Sequence, residues 1–139
     1  MCSVFRKSRS LLDALRDARV ARLATHNPTG VIDVVPITFA LVDDTLVTAI
    51  DHKPKRTTQL QRLANIRQNA NVTVLVDHYD DDWSTLWWVR ARGIARVVDE
   101  PDRALIDALV SKYAQYRDTR PTGPAIVIRV TDVASWSAS

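Results

Sequence analysis

The sequence predicts an α+β fold, an antiparallel barrel of about six strands with about three flanking helices. Three observations lead there. Segments of strand character outnumber helical ones, and the connections between them read mostly as hairpins rather than crossovers. The length of 139 residues suits one core better than two. Residues 1–139 are therefore expected to form a single domain. With 46% hydrophobic and 25% charged residues, the composition is that of an ordinary globular protein, which excludes disordered and fibrous classes.

The elements follow in order. Ser10 and Asp13 read as a capping box, and Leu11, Leu15 and Ala18 share a helical face, so a first helix is expected over about residues 9–18. From Arg19 to Thr25 the pattern shifts to period two, and His26-Asn27-Pro28-Thr29-Gly30 carries the turn residues of a hairpin. Val31 to Val42 is too apolar for a half-exposed strand. Val35, Ile37, Phe39 and Leu41 would face one side and Val34, Pro36, Thr38 and Ala40 the other, with both sides covered. Pro36 cannot donate to a ladder, so a kink or an unpaired stretch is expected there.

Asp43-Asp44 turns the chain into a strand from Thr45 to Asp51, and Leu60, Leu63 and Ala64 suit a helix running to about Asn69. Val72, Val74 and Val76 alternate as a strand does. Asp80-Asp81-Asp82 marks a turn. In the strand expected from Trp83 onward, Trp87, Val89, Ala91, Gly93, Ala95 and Val97 form one face and Trp88, Arg90, Arg92 and Arg96 the other. Pro101 suits a helix first turn, with Ile106, Leu109, Val110 and Tyr113 at helical spacing behind it, and Ala125 to Val130 supplies a last strand.

No run approaches the roughly 18 apolar residues of a membrane span, and the start Met1 to Lys7 lacks a signal-peptide core, so a cytoplasmic protein with no membrane partner is expected. Cys2 is the one cysteine, which excludes an intrachain disulfide and a multi-cysteine metal site. The net charge is +3 with a pI near 9.4, and 15 of the 19 basic residues are Arg. That usage suits an anionic ligand and equally a codon bias toward Arg.

Motifs for a serine nucleophile, a phosphate-binding Walker loop, a dinucleotide fold or a zinc protease are absent, so no catalytic side chain and no metal site are expected. His26, His52 and His78 sit beside turns or strand ends, where a solvated imidazole is the usual finding. The segment Thr48 to Arg56 gathers Lys53, Lys55 and Arg56 where a strand ends and a helix begins. Backbone amides and cations there could hold a phosphate, and the same residues could form a solvated basic loop; spacing fits both. Trp83, Trp87 and Trp88 with Arg90 and Arg92 carry the residue types of an interface hot spot, although core packing and ordinary surface exposure account for any single Trp.

Taken in order, Ala21-Arg22-Leu23-Ala24-Thr25, Val34-Val35-Pro36-Ile37-Thr38-Phe39, Lys53-Pro54-Lys55, Val76-Asp77-His78-Tyr79-Asp80-Asp81-Asp82-Trp83 and Trp87-Trp88-Val89-Arg90 resemble the pyridoxamine 5'-phosphate oxidase-like split-barrel family. More narrowly they resemble its actinobacterial branch that uses the deazaflavin coenzyme F420. The resemblance runs from about Leu12 to Trp136. It implies a homodimeric split β-barrel with cofactor sites between the subunits. Val35, Pro36, Ile37 and Thr38 would run along the ring, and Thr48, Ile50 and Asp51 would border the ribityl chain. Lys53, Lys55 and Arg56 would receive the phosphate, and Trp87, Trp88 and Arg90 would come from the opposite subunit. The C-terminal substrate residues of true pyridoxamine-phosphate oxidases have no match, which argues against vitamin B6 oxidation.

The expected function is an oxidoreductase passing hydride between coenzyme F420 and a small organic acceptor, the cofactor supplying the chemistry. FMN or FAD is the alternative cofactor, and a non-catalytic F420 or flavin carrier is the alternative class. A nucleic-acid-binding barrel ranks last, because Lys clusters are sparse and the Asp80 to Asp82 tip is acidic, so no nucleic-acid partner is expected.

Overall fold

The computed structural model describes residues 2–5, 9–50 and 56–138, with the side chains of 10–50 and 61–138. Strand β1 spans Cys2–Phe5, helix α1 Arg9–Asp17, β2 Ala21–His26, β3 Ile32–Ile37, β4 Ala40–Val42 and β5 Thr45–Ala49. Helix α2 spans Arg56–Gln68, β6 Asn71–His78, β7 Trp87–Val98, α3 Arg103–Lys112, α4 Ala114–Asp118 and β8 Ala125–Ser137. The described residues thus hold eight strands and four helices, against the expected six and three.

All the strands form one antiparallel sheet in the order β3-β2-β6-β7-β8-β5-β4, with β1 added along β8. The two ends of that order, β3 and β4, are consecutive in the chain and joined only by Thr38 and Phe39. Three Cα steps hold them within about 11 Å, so the sheet has to curl until its edges meet. No ladder joins β3 to β4, so the barrel is closed there without strand pairing. This is an α+β split β-barrel.

The inward positions carry the alternation expected of the strands. Leu23, Ile37, Leu46, Val74, Val76, Val89, Ala91, Ile126 and Ile128 fill the interior with Phe39 and with Leu15 from α1. A second apolar layer lies outside the barrel, where Leu105, Ile106 and Leu109 of α3, with Tyr113 just past its end, cover Ala40, Val47, Ala125 and Val127. Both faces of β5 are therefore covered, and Leu46, Val47 and Thr48 are buried in succession.

The hairpin from β2 to β3 forms as the turn residues predict. Gly30 sits at φ +87°, Asn27 exchanges backbone bonds with Gly30 and Val31, and the Asn27 side chain accepts from the Thr29 amide. The face assignment in β7 also holds: Val89, Ala91, Gly93 and Ala95 are buried, while Arg92 and Arg96 are exposed. Ser10 lies inside the first turn of α1, and Asp13 pairs with Arg16 at 2.8 Å.

Other expectations need correction. Val31 to Val42 is two strands rather than one, and of its second face only Ala40 is covered: Val34 is 59% exposed, and Pro36 and Thr38 are exposed as well. Pro36 causes no break and stands in register opposite Arg22, because β3 is an edge strand where a missing N–H costs no ladder bond. Trp83–Thr85 is a short 3-10 turn capped by Asp82, so the strand begins at Trp87. Ala64 is exposed, and the buried face of α2 carries Leu63, Asn65 and Ile66 instead.

The last strand runs seven residues beyond the expected Val130, to Ser137. A bulge hides it in the sequence. Gly93 faces Val130 and Arg92 faces Asp132, leaving Thr131 as the extra residue, so the interior positions pass from Val130 to Val133 instead of keeping period two. The close approach requires the glycine, since a Cβ on Gly93 would lie 2.5 Å from the Arg129 carbonyl oxygen and 2.7 Å from Ile128 Cγ2.

A cluster of polar bonds fixes the junction at the split. Tyr113 Oη donates to the Arg19 carbonyl at 2.9 Å and accepts from the Phe39 amide at 3.2 Å. Tyr116 Oη meets Thr38 Oγ1 at 2.8 Å. Lys112 Nζ donates to the Arg16 carbonyl at 2.8 Å and rests 3.9 Å from the centroid of the Phe39 ring. Burial, helped by the Arg19 charge and opposed by Asp17, pushes the Lys112 ammonium down to about 8. Burial pushes the Tyr113 hydroxyl up.

Two tests follow from this packing. Tyr113→Phe removes both bonds of a buried hydroxyl and leaves the Phe39 amide unpaired, so chemical denaturation should show a loss of about 1–3 kcal/mol. In the same assay, stability should rise between about pH 8 and 10, where the unfolded chain binds a Lys112 proton that the folded chain lacks. It should fall above about pH 10, where the unfolded chain sheds the Tyr113 proton first. Solvent screening keeps both slopes modest.

Candidate functional site

Helix α2 crosses the barrel end beside the β2–β3 hairpin, and the space between them is a cleft of about 350 Å³ lined by Thr25, Asn27, Asp33, Val34, Val35, Gln61 and Arg62. Three of these lining residues are tied together by Asn65, which is fully buried. The Asn65 amide donates to Thr25 Oγ1 at 2.9 Å and to Asp33 Oδ2 at 2.8 Å, and its carbonyl accepts from Gln61 Nε2 at 2.8 Å. Three partners from β2, β3 and α2 thus share one amide, which locks the helix against the hairpin and saturates a group that would otherwise be costly to bury.

Arg62 is not satisfied in the same way. Its Nε is buried and has no hydrogen-bond partner, and burial lowers its pKa. A guanidinium stays charged under such a shift. Arg62 thus brings a partly desolvated cation to the cleft wall, a charge that an anion would complement.

The expected site residues divide into groups. Val35 lines the cleft, and Pro36 and Thr38 are exposed beyond it on the same strand and its linker. Ile37, Thr48 and Ile50 turn their side chains into the buried interior, so only backbone from these three can meet a ligand. The Ile50 amide is already bonded to the Pro124 carbonyl at 3.1 Å. Asp51, Lys53 and Lys55 lie outside the described residues, and so does the side chain of Arg56, whose backbone opens α2.

Trp87, Trp88 and Arg90 lie apart from the cleft. Trp87 points inward against the barrel core and stacks on His78 with ring centroids 6.5 Å apart. Trp88 points outward, where the Arg90 guanidinium lies 5.5 Å from its ring. Trp87 and Trp88 thus serve opposite faces of the sheet. Pro36, Arg22, Leu75 and Arg90 form one cross-strand row on the outer face, so β3 and β7 are three strand spacings, about 14 Å, apart. Within one chain Arg90 cannot close over the cleft. The Arg90 Nε is a second buried nitrogen without a partner.

Among the described residues, no group of three His, Cys, Asp or Glu side chains is placed to hold a metal ion. The acidic tip is committed to its own turn: Asp80 Oδ1 accepts from the Asp82 amide at 2.7 Å, and Asp82 Oδ1 accepts from Ser84 Oγ at 2.6 Å. The Ser84 bonds hold the Asp82 carboxyl below its ordinary range. No helix of the described residues is long and apolar enough to cross a membrane.

The split barrel is a fold with solved examples. A conserved hypothetical protein of Mycobacterium tuberculosis superposes with a TM-score of 0.76 at 19% identity, covering 98% of this chain and 88% of that one. A protein described as an F420 reductase gives a TM-score of 0.61 at 24% identity over 87% of this chain and 94% of that one. The FAD binding protein of Mycobacterium smegmatis gives 0.62 at 19% identity over 96% of each chain. No curated protein matches the sequence. The family model described as pyridoxamine 5'-phosphate oxidase matches residues 9–137, and the chain belongs to that family.

The residues that spacing did not single out are Asp33, Gln61, Arg62 and Asn65. Asn65 carried a legible signal, since it falls at i+4 from Gln61 and between the two apolar positions Leu63 and Ile66. If Asn65 is the structural tie of the cleft, Asn65→Leu should cost about 2–4 kcal/mol in chemical denaturation, because Thr25 and Asp33 lose a buried donor. Gln61→Ala, at the exposed end of the network, should cost less than about 1 kcal/mol.

Proposed function

We propose that this protein is an oxidoreductase that binds the deazaflavin coenzyme F420 and passes hydride between it and a small organic acceptor, with FMN or FAD as the alternative cofactor. The observation that carries this reading is the partly desolvated Arg62 cation that lines a cleft beside β3. Membership of the pyridoxamine 5'-phosphate oxidase family supports it, and so does a fold shared with proteins described as an F420 reductase and an FAD binding protein. When bound, such a cofactor supplies the hydride chemistry, so the chain needs no nucleophile or metal of its own.

In this reading Val35 and the backbone of Pro36, Ile37 and Thr38 orient the ring. Thr48, Ile50 and Asp51 border the ribityl chain, chiefly through backbone. Arg62 joins Lys53, Lys55 and Arg56 in holding the phosphate by charge-assisted bonds. The cleft volume lies at the lower end for a ligand pocket, so it encloses part of the cofactor and the remainder needs cover.

A second copy of the chain fits that need. Ile32 and Val34 are exposed on the outer face, with half-buried Leu75, Trp88 and Trp136 on the same side, which is the composition of a subunit interface. The proposed assembly is a homodimer in which the partner subunit's Trp88 and Arg90 cover the site, with Trp87 supporting them from inside.

Titration of one preparation with F420, FMN and FAD, read by fluorescence quenching, tests the cofactor reading. F420 should bind most tightly, and Arg62→Gln should weaken it roughly 10- to 150-fold through loss of a charge-assisted bond. No binding of any of the three would remove the proposal. Light scattering at micromolar concentration should give twice the chain mass, and a monomer would exclude the shared site.

A further inference from the structure

The outer face of the sheet holds a hollow that the cofactor reading does not use. Ala24, His26, Ile32, Thr73, Arg92 and Asp132 line its volume of about 510 Å³. The outer rows around it are basic: Arg22, Arg90, Arg92 and Arg129 stand against Asp77 and Asp132, and Asp77 already meets Arg22 at 3.4 Å. The opposite chemistry gathers at the turn from β6 to β7. There Tyr79 and Trp83 are 67% and 68% exposed, beside the exposed carboxylates of Asp80, Asp81 and Asp82. Bonds within the turn fix its shape: Asp80 Oδ1 also accepts from Thr85 Oγ1 at 3.3 Å, and His78 Nε2 meets Asp80 Oδ2 at 3.1 Å. Docking such a tip costs little ordering entropy.

Five residues of extended strand, about 17 Å, separate Thr73 from His78, and the tip lies beyond, so it cannot reach the hollow of its own chain. A second copy brings the two together. The outward pairs of the β6–β7 ribbon run Thr73–Arg92, Leu75–Arg90 and Asp77–Trp88 toward the tip. A two-fold axis normal to the sheet, between the last two pairs, reverses the ribbon and lays rows equally far from the axis on one another. It sets Arg92 of one copy at the tip of the other, and Trp88 over the partner subunit's Leu75, in the row that also holds Pro36. Exposed Ile32 and small Ala24 offer apolar surface and room for an aromatic ring, and Arg92 offers charge for a carboxylate. We infer that the two chains of the homodimer pack ribbon on ribbon, with the acidic aromatic tip of each seated in the basic hollow around Arg92 of the other. This rests on the homodimer of the reading above and names its contact surface.

The test reverses one charge on each side and reads the dimer dissociation constant by sedimentation on dilution, without cofactor. Asp81→Lys and Arg92→Glu both change exposed side chains, so the fold of each chain should survive. Alone, each variant places like charges at both contacts of the two-fold, and its dimer should weaken about tenfold. Mixed in equal amounts, the two variants meet opposite charges at both contacts. Heterodimers should then predominate, with a constant close to that of the wild type. Variants that each dimerise as tightly as the wild type, or a mixture no tighter than its components, overturn the docking of the tip and leave the dimer in place on another face. A wild-type chain that stays monomeric overturns both.

Discussion

The return of the chain from one edge of the sheet to the other through Thr38 and Phe39 is the constraint on which the rest of the structure depends. Two residues cannot span a flat sheet of this many strands, so the sheet closes into a barrel. The junction is held by the Tyr113 hydroxyl on the Phe39 amide, by Tyr116 on Thr38, and by Lys112 over the Phe39 ring. Helix α3 thereby does two things at once: its apolar face builds the second core layer, and its C-terminal turn pins the seam. With the seam fixed, β3 remains an edge strand, paired with β2 on one side and available on the other.

That free edge creates the cleft. Helix α2 docks against the hairpin through the buried Asn65 amide, which ties Thr25, Asp33 and Gln61 together. The arrangement spends one fully satisfied polar network on alignment and leaves Arg62 Nε unspent. The outer face of the sheet has a matching incompleteness, with apolar Ile32 and Val34 exposed and Arg90 Nε buried without a partner. In the proposed dimer the other chain covers the exposed apolar residues of this face.

Much of this was legible in the sequence because it lives in local patterns. The β2–β3 turn was written in Asn27 to Gly30, and the two faces of β7 in the alternation of small apolar residues with arginines. The family resemblance rested on ordered motifs, and the family match agrees with it. What could not be read depends on tertiary geometry. The bulge at Thr131 broke the alternation and concealed the end of β8. The split of Val31 to Val42 follows from the seam, and the exposure of Val34 follows from the edge position of β3, neither of which hydropathy can report. Asn65, Asp33 and Arg62 are polar residues of ordinary type until the fold brings a helix and a hairpin together around them. Lys53 and Lys55, the clearest phosphate candidates from spacing, remain candidates on that ground.

The central claim is that one site is built from the cleft of one chain and the outer face of another. Mixed dimers test it most directly. Chains carrying Arg62→Gln and chains carrying Trp88→Ala should each bind F420 poorly alone. After exchange of equal amounts, half the dimers are mixed, and each mixed dimer contains one site with both native residues, so about a quarter of all sites should regain native affinity. Recovery of that fraction is the result the account predicts. No recovery, with exchange of subunits verified, would contradict it and place Arg62 and Trp88 in the same chain's site or outside the site altogether.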